Sequence, residues 1–192
     1  QHLVEGGLPA DKVAVKYNTV TPVPPIGTGE GNHVVFVGRL SPEKGLSTLL
    51  DAWKLDPQLP PIKIIGDGPL AAQGREARKQ DSRIEWLGHL ELSQLHPFVG
   101  SAKALIMPSV WYETFGRTTV EAFASSTPVI GSNLGAMQEL IDEGRTGYLF
   151  EPGNADALRK SLHQLLELPP QMQKEMRAAA RQRFESSFTA ED

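Results

Sequence analysis

Apolar residues in this chain collect into short continuous runs, most of them closed by Gly or Pro and followed by a polar stretch. They are VAVKY (13–17), HVVFVG (33–38), IKIIG (62–66), RIEWLG (83–88), ALIMP (104–108), PVIG (128–131) and GYLF (147–150). Runs that are apolar throughout, without alternation, are what strands require when both faces of a sheet are covered. Between them, GLSTLLDAWKL (45–55), LAAQGREARKQ (70–80), TTVEAFASS (118–126) and ADALRKSLHQLLEL (155–168) carry helical spacing. Strand and helix alternate, which predicts an α/β fold built on a doubly wound parallel sheet. In the last stretch, 171–188, Met172, Met176, Ala179 and Phe184 fall near helical spacing and predict a docked terminal helix. The Pro- and Gly-rich NTVTPVPPIGTGEGN (18–32) reads as a linker or surface excursion that sets the first run apart from the rest.

Composition narrows the function classes. A chain of 192 residues, 40% of them hydrophobic, is enough for one ample core and short for two. The formal charge is −4 and the cations are scattered, which argues against nucleic acid as a partner. With no cysteine, disulfide scaffolds and thiolate metal sites are excluded, and a reducing cytosol suits the composition. No apolar run approaches the roughly 20 residues of a membrane span, and no secretory pattern opens the chain. The expectation is a cytoplasmic protein. The first residue is Gln rather than Met, which suggests a piece of a longer chain.

In a doubly wound sheet, ligands bind outside the carboxyl ends of the strands, so the residues just after each run carry the candidates. After HVVFVG, ending in Gly38, comes RLSPEKG. Ser41 suits a helix cap and Pro42 its first position, with Arg39 and Lys44 on either side. Two cations beside a helix N-terminus form a diphosphate clamp, or else they are ordinary surface charges. After IKIIG comes GDGP, whose Gly66 and Gly68 either let backbone approach a ligand or simply make a turn; the third glycine of a dinucleotide fingerprint is missing. After RIEWLG stands His89, with no second histidine or carboxylate at ligand spacing, so no metal site is expected. His2, His33, His96 and His163 are equally isolated, and no HExxH, GxSxG or GxxxxGK[ST] occurs.

After ALIMP comes ETFGRTTVE (113–121). Pro108 and Gly116 should stop the strand and delay the helix, leaving Glu113 on a loop and Glu121 about a turn into the helix. The two carboxylates can then address two ends of one ligand. The amides of Phe115 to Thr119 would form the helix N-terminus between them, and Thr118 and Thr119 would add hydroxyls for phosphate oxygens. Enrichment of acids in a first helical turn accounts for Glu121 but not for Glu113.

The chain resembles the nucleotide-binding, C-terminal half of a retaining glycosyltransferase of family 4, with the GT-B fold. The resemblance rests on VGRLSPEKG, IIGDGP, WLGHL, ALIMPS and ETFGRTTVEAFASSTPVIGSNLGAMQELIDEGRTGYLFEPGNADAL, in the family's order from about residue 33 to 158. It implies a Rossmann-like nucleotide-sugar-binding domain over 33–192, preceded at 1–32 by the crossover segment and linker from an N-terminal domain not included here. It further implies that Arg39 and Lys44 offset charge on the departing nucleoside diphosphate, that Glu113 holds hydroxyls of the transferred sugar and that Glu121 accepts from the ribose. Gly38, Gly66 and Gly68 match the family's backbone approaches to the donor. Phe115, Gly116, Arg117, Thr118 and Thr119 match the segment that meets sugar and phosphate, and Gly88, His89 and Leu90 the loop against the base. Two positions depart from the pattern: Arg117 stands where an aliphatic residue is common, and Ala136 where a second glycine often follows Gly135. The implied partners are a nucleotide-sugar donor here and an acceptor held by the other domain, through which peripheral membrane contact is also open. No essential metal or other cofactor is implied, and the fragment alone should be inactive. The alternatives are a GT-B phosphorylase, a sugar-nucleotide epimerase, or a non-catalytic nucleotide-binding module; the set Arg39, Lys44, Glu113 and Glu121 argues against the last.

Overall fold

In the computed structural model, which describes residues 6–12 and 18–189, six parallel strands form one sheet. They are β1 (Val34–Val37), β2 (Ile62–Ile65), β3 (Ile84–Gly88), β4 (Leu105–Met107), β5 (Val129–Ser132) and β6 (Gly147–Phe150). Their order across the sheet is β3-β2-β1-β4-β5-β6. The chain winds outward from β1 to β3 and then returns to lay β4 on the other side of β1, so the strand order reverses between β1 and β4. The doubly wound parallel sheet expected from the apolar runs is the architecture found. The run at 13–17 lies outside the described residues.

Seven helices connect and cover the described strands: α1 (Leu46–Leu55), α2 (Ala71–Gln80), α3 (Leu92–Ser101), α4 (Arg117–Ala124), α5 (Ala136–Leu140), α6 (Ala155–Leu166) and α7 (Pro170–Ser187). Successive strand side chains point to opposite faces. Val34, Phe36, Ile62, Ile64 and Ile106 accordingly enter one core with Trp53 of α1 and Leu158 and Leu162 of α6. Val35, Leu105 and Met107 enter the other with Val99 of α3, Phe123 of α4 and Phe184 of α7. Both faces are apolar because both are covered. The last helix passes from one core to the other, giving Met176 to the first and Ala180 and Phe184 to the second.

Three arginines of α7 tie it down. Arg177 is largely buried and donates to the carbonyls of Gly27, Gly100 and Ala102 at 3.0 to 3.1 Å. Arg181 donates to Ala124 and Arg183 to Glu139. Each guanidinium thus meets carbonyls at or next to the C-terminal end of another helix, where the dipole favours a cation. Arg177 also fixes the segment 18–32. The amides of Gly27, Gly29 and Gly31 donate to Ser125, Gly100 and Ser101, so this irregular stretch lies bonded along the ends of α3 and α4, with Val20 buried.

Two local features differ from the sequence reading. Helix α3 was hidden by Pro97 at its centre; Glu91 and Gln94 form a capping box at its start, and Pro97 costs it a backbone donor without ending it. The helix expected to start at Ser41 starts at Leu46 instead. Residues Pro42–Lys44 form a single 3₁₀ turn, closed by Gly45 in the left-handed region (φ 72°). Ser41 does not cap, because its hydroxyl donates to Glu43 at 2.6 Å.

Beside the start of β3, where Arg83 donates to its carbonyl, Asp56 joins the end of α1 to α6. It accepts from His163 Nε2 at 2.7 Å and from the amide of Gln58 at 2.8 Å, with Arg159 3.5 Å away. The hydrogen bond from His163, then that from Gln58, lowers the Asp56 pKa. A carboxylate whose folded pKa is depressed stabilises the fold above its unfolded pKa, and that stability is lost as pH falls through the folded value. The melting temperature is therefore expected to drop in acid below about pH 4. Asp56→Asn should give a shallower acid limb in thermal melts from pH 7 to 2.5, and an unchanged limb would show that this carboxylate does not contribute.

Candidate functional site

The strand-order reversal puts the carboxyl ends of β1 and β4 side by side, with the loops 38–45 and 108–116 rising on either side of a cleft of about 640 Å³. Its lining includes Gly38, Arg39, Lys44, Ser109, Glu113 and Arg117. The two loops are joined through backbone, Val110 N–H donating to the Glu43 carbonyl at 2.9 Å. Against the loop after β1 lies the GDGP turn. A Cβ on Gly66 would lie 1.9 Å from the Gly38 carbonyl oxygen, and one on Gly68 2.6 Å from that of Leu40. These glycines let the loops after β1 and β2 touch, a close approach of the protein's own backbone that a Cβ would block.

Lys44 Nζ and Ser109 Oγ both donate to Glu113 Oε1 at 2.6 Å. The Glu113 side chain is 15% exposed and that of Lys44 28%. Glu113 Oε2 takes no hydrogen bond from another described residue, so one oxygen is anchored while the other remains an acceptor. Arg39 is exposed and has no ion pair among the described residues. Glu43 is fully solvated, and its pKa is lowered chiefly by the Ser41 hydroxyl, with Arg39 and Lys44 adding smaller contributions.

Helix α4 begins after Gly116 in the left-handed region (φ 75°). Its first amides, those of Arg117 and Thr118, make no hydrogen bond to another described residue, while the Thr119 amide is taken by the Gly116 carbonyl at 2.9 Å. The cleft therefore faces a helix N-terminus with two free donors, which suits an anion. Of the two threonines, only Thr118 lines the cleft. Thr119 is fully buried and its hydroxyl points at Met137 Sδ, 3.3 Å away, because its place in the first turn of α4 faces the core. The phosphate role read for its hydroxyl from the sequence has no geometry here.

Glu121 lies one turn further along α4. Its side chain is 15% exposed, and Oε1 accepts from Arg117 Nε at 2.8 Å. Phe115 packs edge-on against Phe188 with ring centroids 6.2 Å apart, tying the site loop to the end of α7. Gly88, His89 and Leu90 lie elsewhere, at the end of edge strand β3, and are not in the cleft lining. His89 is exposed and Leu90 packs on the second core.

Some cleft residues escaped the sequence reading. Ser109 follows ALIMP directly and anchors Glu113; its position after a strand was signal enough. Asn18 and Thr19 also line the cleft, from a segment that composition marks as linker or surface excursion. Trp111 and Tyr112, in the loop 108–116 but outside the cleft lining, stand 68% and 67% exposed, edge to face. Among the described residues no helix is long and apolar enough to cross a membrane.

Comparison with known proteins shows the family. Residues 26–183 match the family described as glycosyl transferases group 1. An uncharacterized glycosyltransferase of Methanocaldococcus jannaschii is 32% identical over 159 residues, covering 81% of this chain and 44% of that protein. The glycogen synthase of Mycobacterium tuberculosis is 31% identical over 168 residues, covering 81% of this chain and 39% of that one. The chain thus spans less than half the length of these relatives. The crystal structure of Anabaena HepE in complex with UDP-glucose superposes with a TM-score of 0.81 at 22% identity, covering 97% of this chain and 56% of that one, which is a likeness of fold.

Proposed function

The chain belongs to the glycosyl transferases group 1 family, and on that premise we propose that it binds a nucleotide-diphosphate sugar and presents it for transfer to an acceptor hydroxyl. In the proposed reaction the bond from the anomeric carbon to the phosphate oxygen breaks, and its electron pair leaves with the diphosphate. The acceptor oxygen bonds to that carbon with retained configuration and the hydroxyl proton is released. The acceptor would be held by a second, N-terminal domain, without which this chain binds donor but does not turn over; the location proposed is the cytoplasm.

One observation carries the reading. Two cations, an anchored carboxylate and a free helix N-terminus converge on one cleft at the strand-order reversal. Arg39, Lys44 and the amides of Arg117 and Thr118 would meet the diphosphate and stabilise it as it departs. Preorganised donors of this kind are commonly the largest single contribution to catalysis, and in this proposal they take the place of an essential metal. Glu113 Oε2 would hold sugar hydroxyls, and Glu121 the ribose. The UDP-glucose in the Anabaena structure makes UDP the first probe.

Calorimetric titration with UDP, GDP, ADP and dTDP tests the proposal: one should give heat, and no heat with any of them would overturn it. Glu121→Ala is expected to weaken nucleotide and nucleotide sugar alike, by about tenfold, the value of a hydrogen bond to a charged group. Glu113→Ala should leave the nucleotide near its wild-type affinity and remove the extra affinity of the nucleotide sugar. Equal effects of the two variants on both ligands would refute that division.

A further inference from the structure

Arg117 lines the cleft and has no part in the donor reading beyond its amide. Its placement is weak on its own terms. A cation in the first turn of a helix stands at the positive end of the dipole, and an Arg four residues before a Glu is the less favourable order of such a pair. The side chain is 63% exposed, yet it is turned back along α4 to hold Glu121, itself 15% exposed. The guanidinium thus holds one oxygen, Oε1, of the carboxylate assigned to the ribose, on the helix turn whose first amides are assigned to the diphosphate.

We propose that Arg117 is a donor-binding residue that exchanges one anion for another as donor binds; this rests on the reading of the cleft as a nucleotide-sugar site. The two vicinal ribose hydroxyls take both Glu121 oxygens and displace Arg117 from Oε1, and the freed guanidinium turns to the diphosphate beside Arg39. A nucleoside bound through both hydroxyls breaks the ion pair and offers nothing in return. A nucleoside diphosphate supplies the replacement anion. Arg117 therefore acts as a selector that handicaps ligands lacking the diphosphate and favours those that carry it. Lys44 cannot serve this way, since its partner is the sugar-side carboxylate Glu113.

The test is the sign of two affinities. Uridine and UDP are titrated by calorimetry, uridine in competition with UDP where its heat is small, against the wild-type chain, Arg117→Met and Arg117→Lys. Guanosine with GDP and adenosine with ADP are run in parallel. In Arg117→Met, uridine is expected to bind about two- to fivefold more tightly, the range of an exposed ion pair relieved. UDP should bind about fivefold more weakly, because the lost phosphate contact outweighs that relief. Arg117→Lys should recover part of the UDP loss. Affinities that move together, or do not move, overturn the proposal, since a merely structural Arg117 would not give opposite signs. If the wild-type chain binds no nucleoside diphosphate, the donor reading itself fails and takes this proposal with it.

Discussion

Lys44→Met is expected to lower UDP affinity by about tenfold to a hundredfold, the value of one hydrogen bond to a charged group at about 1.5–3 kcal/mol. Lys44 sits at the end of the 3₁₀ turn after β1, with Nζ 2.6 Å from Glu113. In wild type the pair places a cation next to the proposed diphosphate and neutralises a carboxylate that would otherwise repel it. Methionine keeps the length of the stem and removes both effects. Glu113 would retain only Ser109 as partner, so its charge would stand uncompensated beside the ligand. In a protein that also carries the acceptor domain, kcat/KM should fall by about 10² to 10³, as when one preorganised donor is lost from a charge-stabilising site. Lys44→Arg should restore most of the affinity and less of the rate, because a planar guanidinium cannot copy a point charge held at one oxygen. Glu113 is only 15% exposed, so leaving its carboxylate with Ser109 alone should cost about 1–3 kcal/mol of stability and lower the melting temperature by several degrees. UDP affinity unchanged in a variant still folded at the titration temperature would remove Lys44 from the site.

That Lys44 and Glu113 meet is something the chain's local patterns do not state, for the two are 69 positions apart. What local patterns do carry is the sheet. Apolar runs of four to six residues can be buried on both sides only as strands of a covered sheet, and the strand-end rule then points to RLSPEKG and ETFGRTTVE before any contact is known. The loop carrying Ser109 was legible by the same rule. Helix α3 was not, because Pro97 erases the helical signal while its cost is met by a capping box and by burial of Leu95 and Val99. The 18–32 segment was legible only as a linker or surface excursion, because composition registers Pro and Gly and not the carbonyls that Gly27, Gly29 and Gly31 find on α3 and α4. Arg117 was the residue that the family resemblance left unexplained, and its partner Glu121, one turn away on the same helix face, lay inside the motif.

Gly45→Ala is expected to destabilise the protein by about 2–5 kcal/mol and to abolish nucleotide binding together with it. Gly45 closes the 3₁₀ turn at φ 72° and ψ 26°, and a Cβ there would lie 1.8 Å from the Pro108 carbonyl oxygen. An L-residue in the left-handed region costs roughly 1–2 kcal/mol, and forcing an extra group into close packing typically costs another 1–3 kcal/mol. The atom it meets is backbone, so no side chain can swing aside; the loop after β1 must separate from the loop after β4. Those loops form the two sides of the cleft, and their separation draws Lys44 away from Glu113. Against a typical domain stability of about 5–15 kcal/mol, the melting temperature should fall by roughly 5–20 °C. Gly144→Ala separates the two causes. Gly144 has the same φ of 72° but nothing within 4 Å of a Cβ, so it carries the conformational strain without the crowding and should cost about 1–2 kcal/mol. If the two variants melt alike and bind UDP alike, the close approach of the loops at Gly45 is not what holds the cleft in shape.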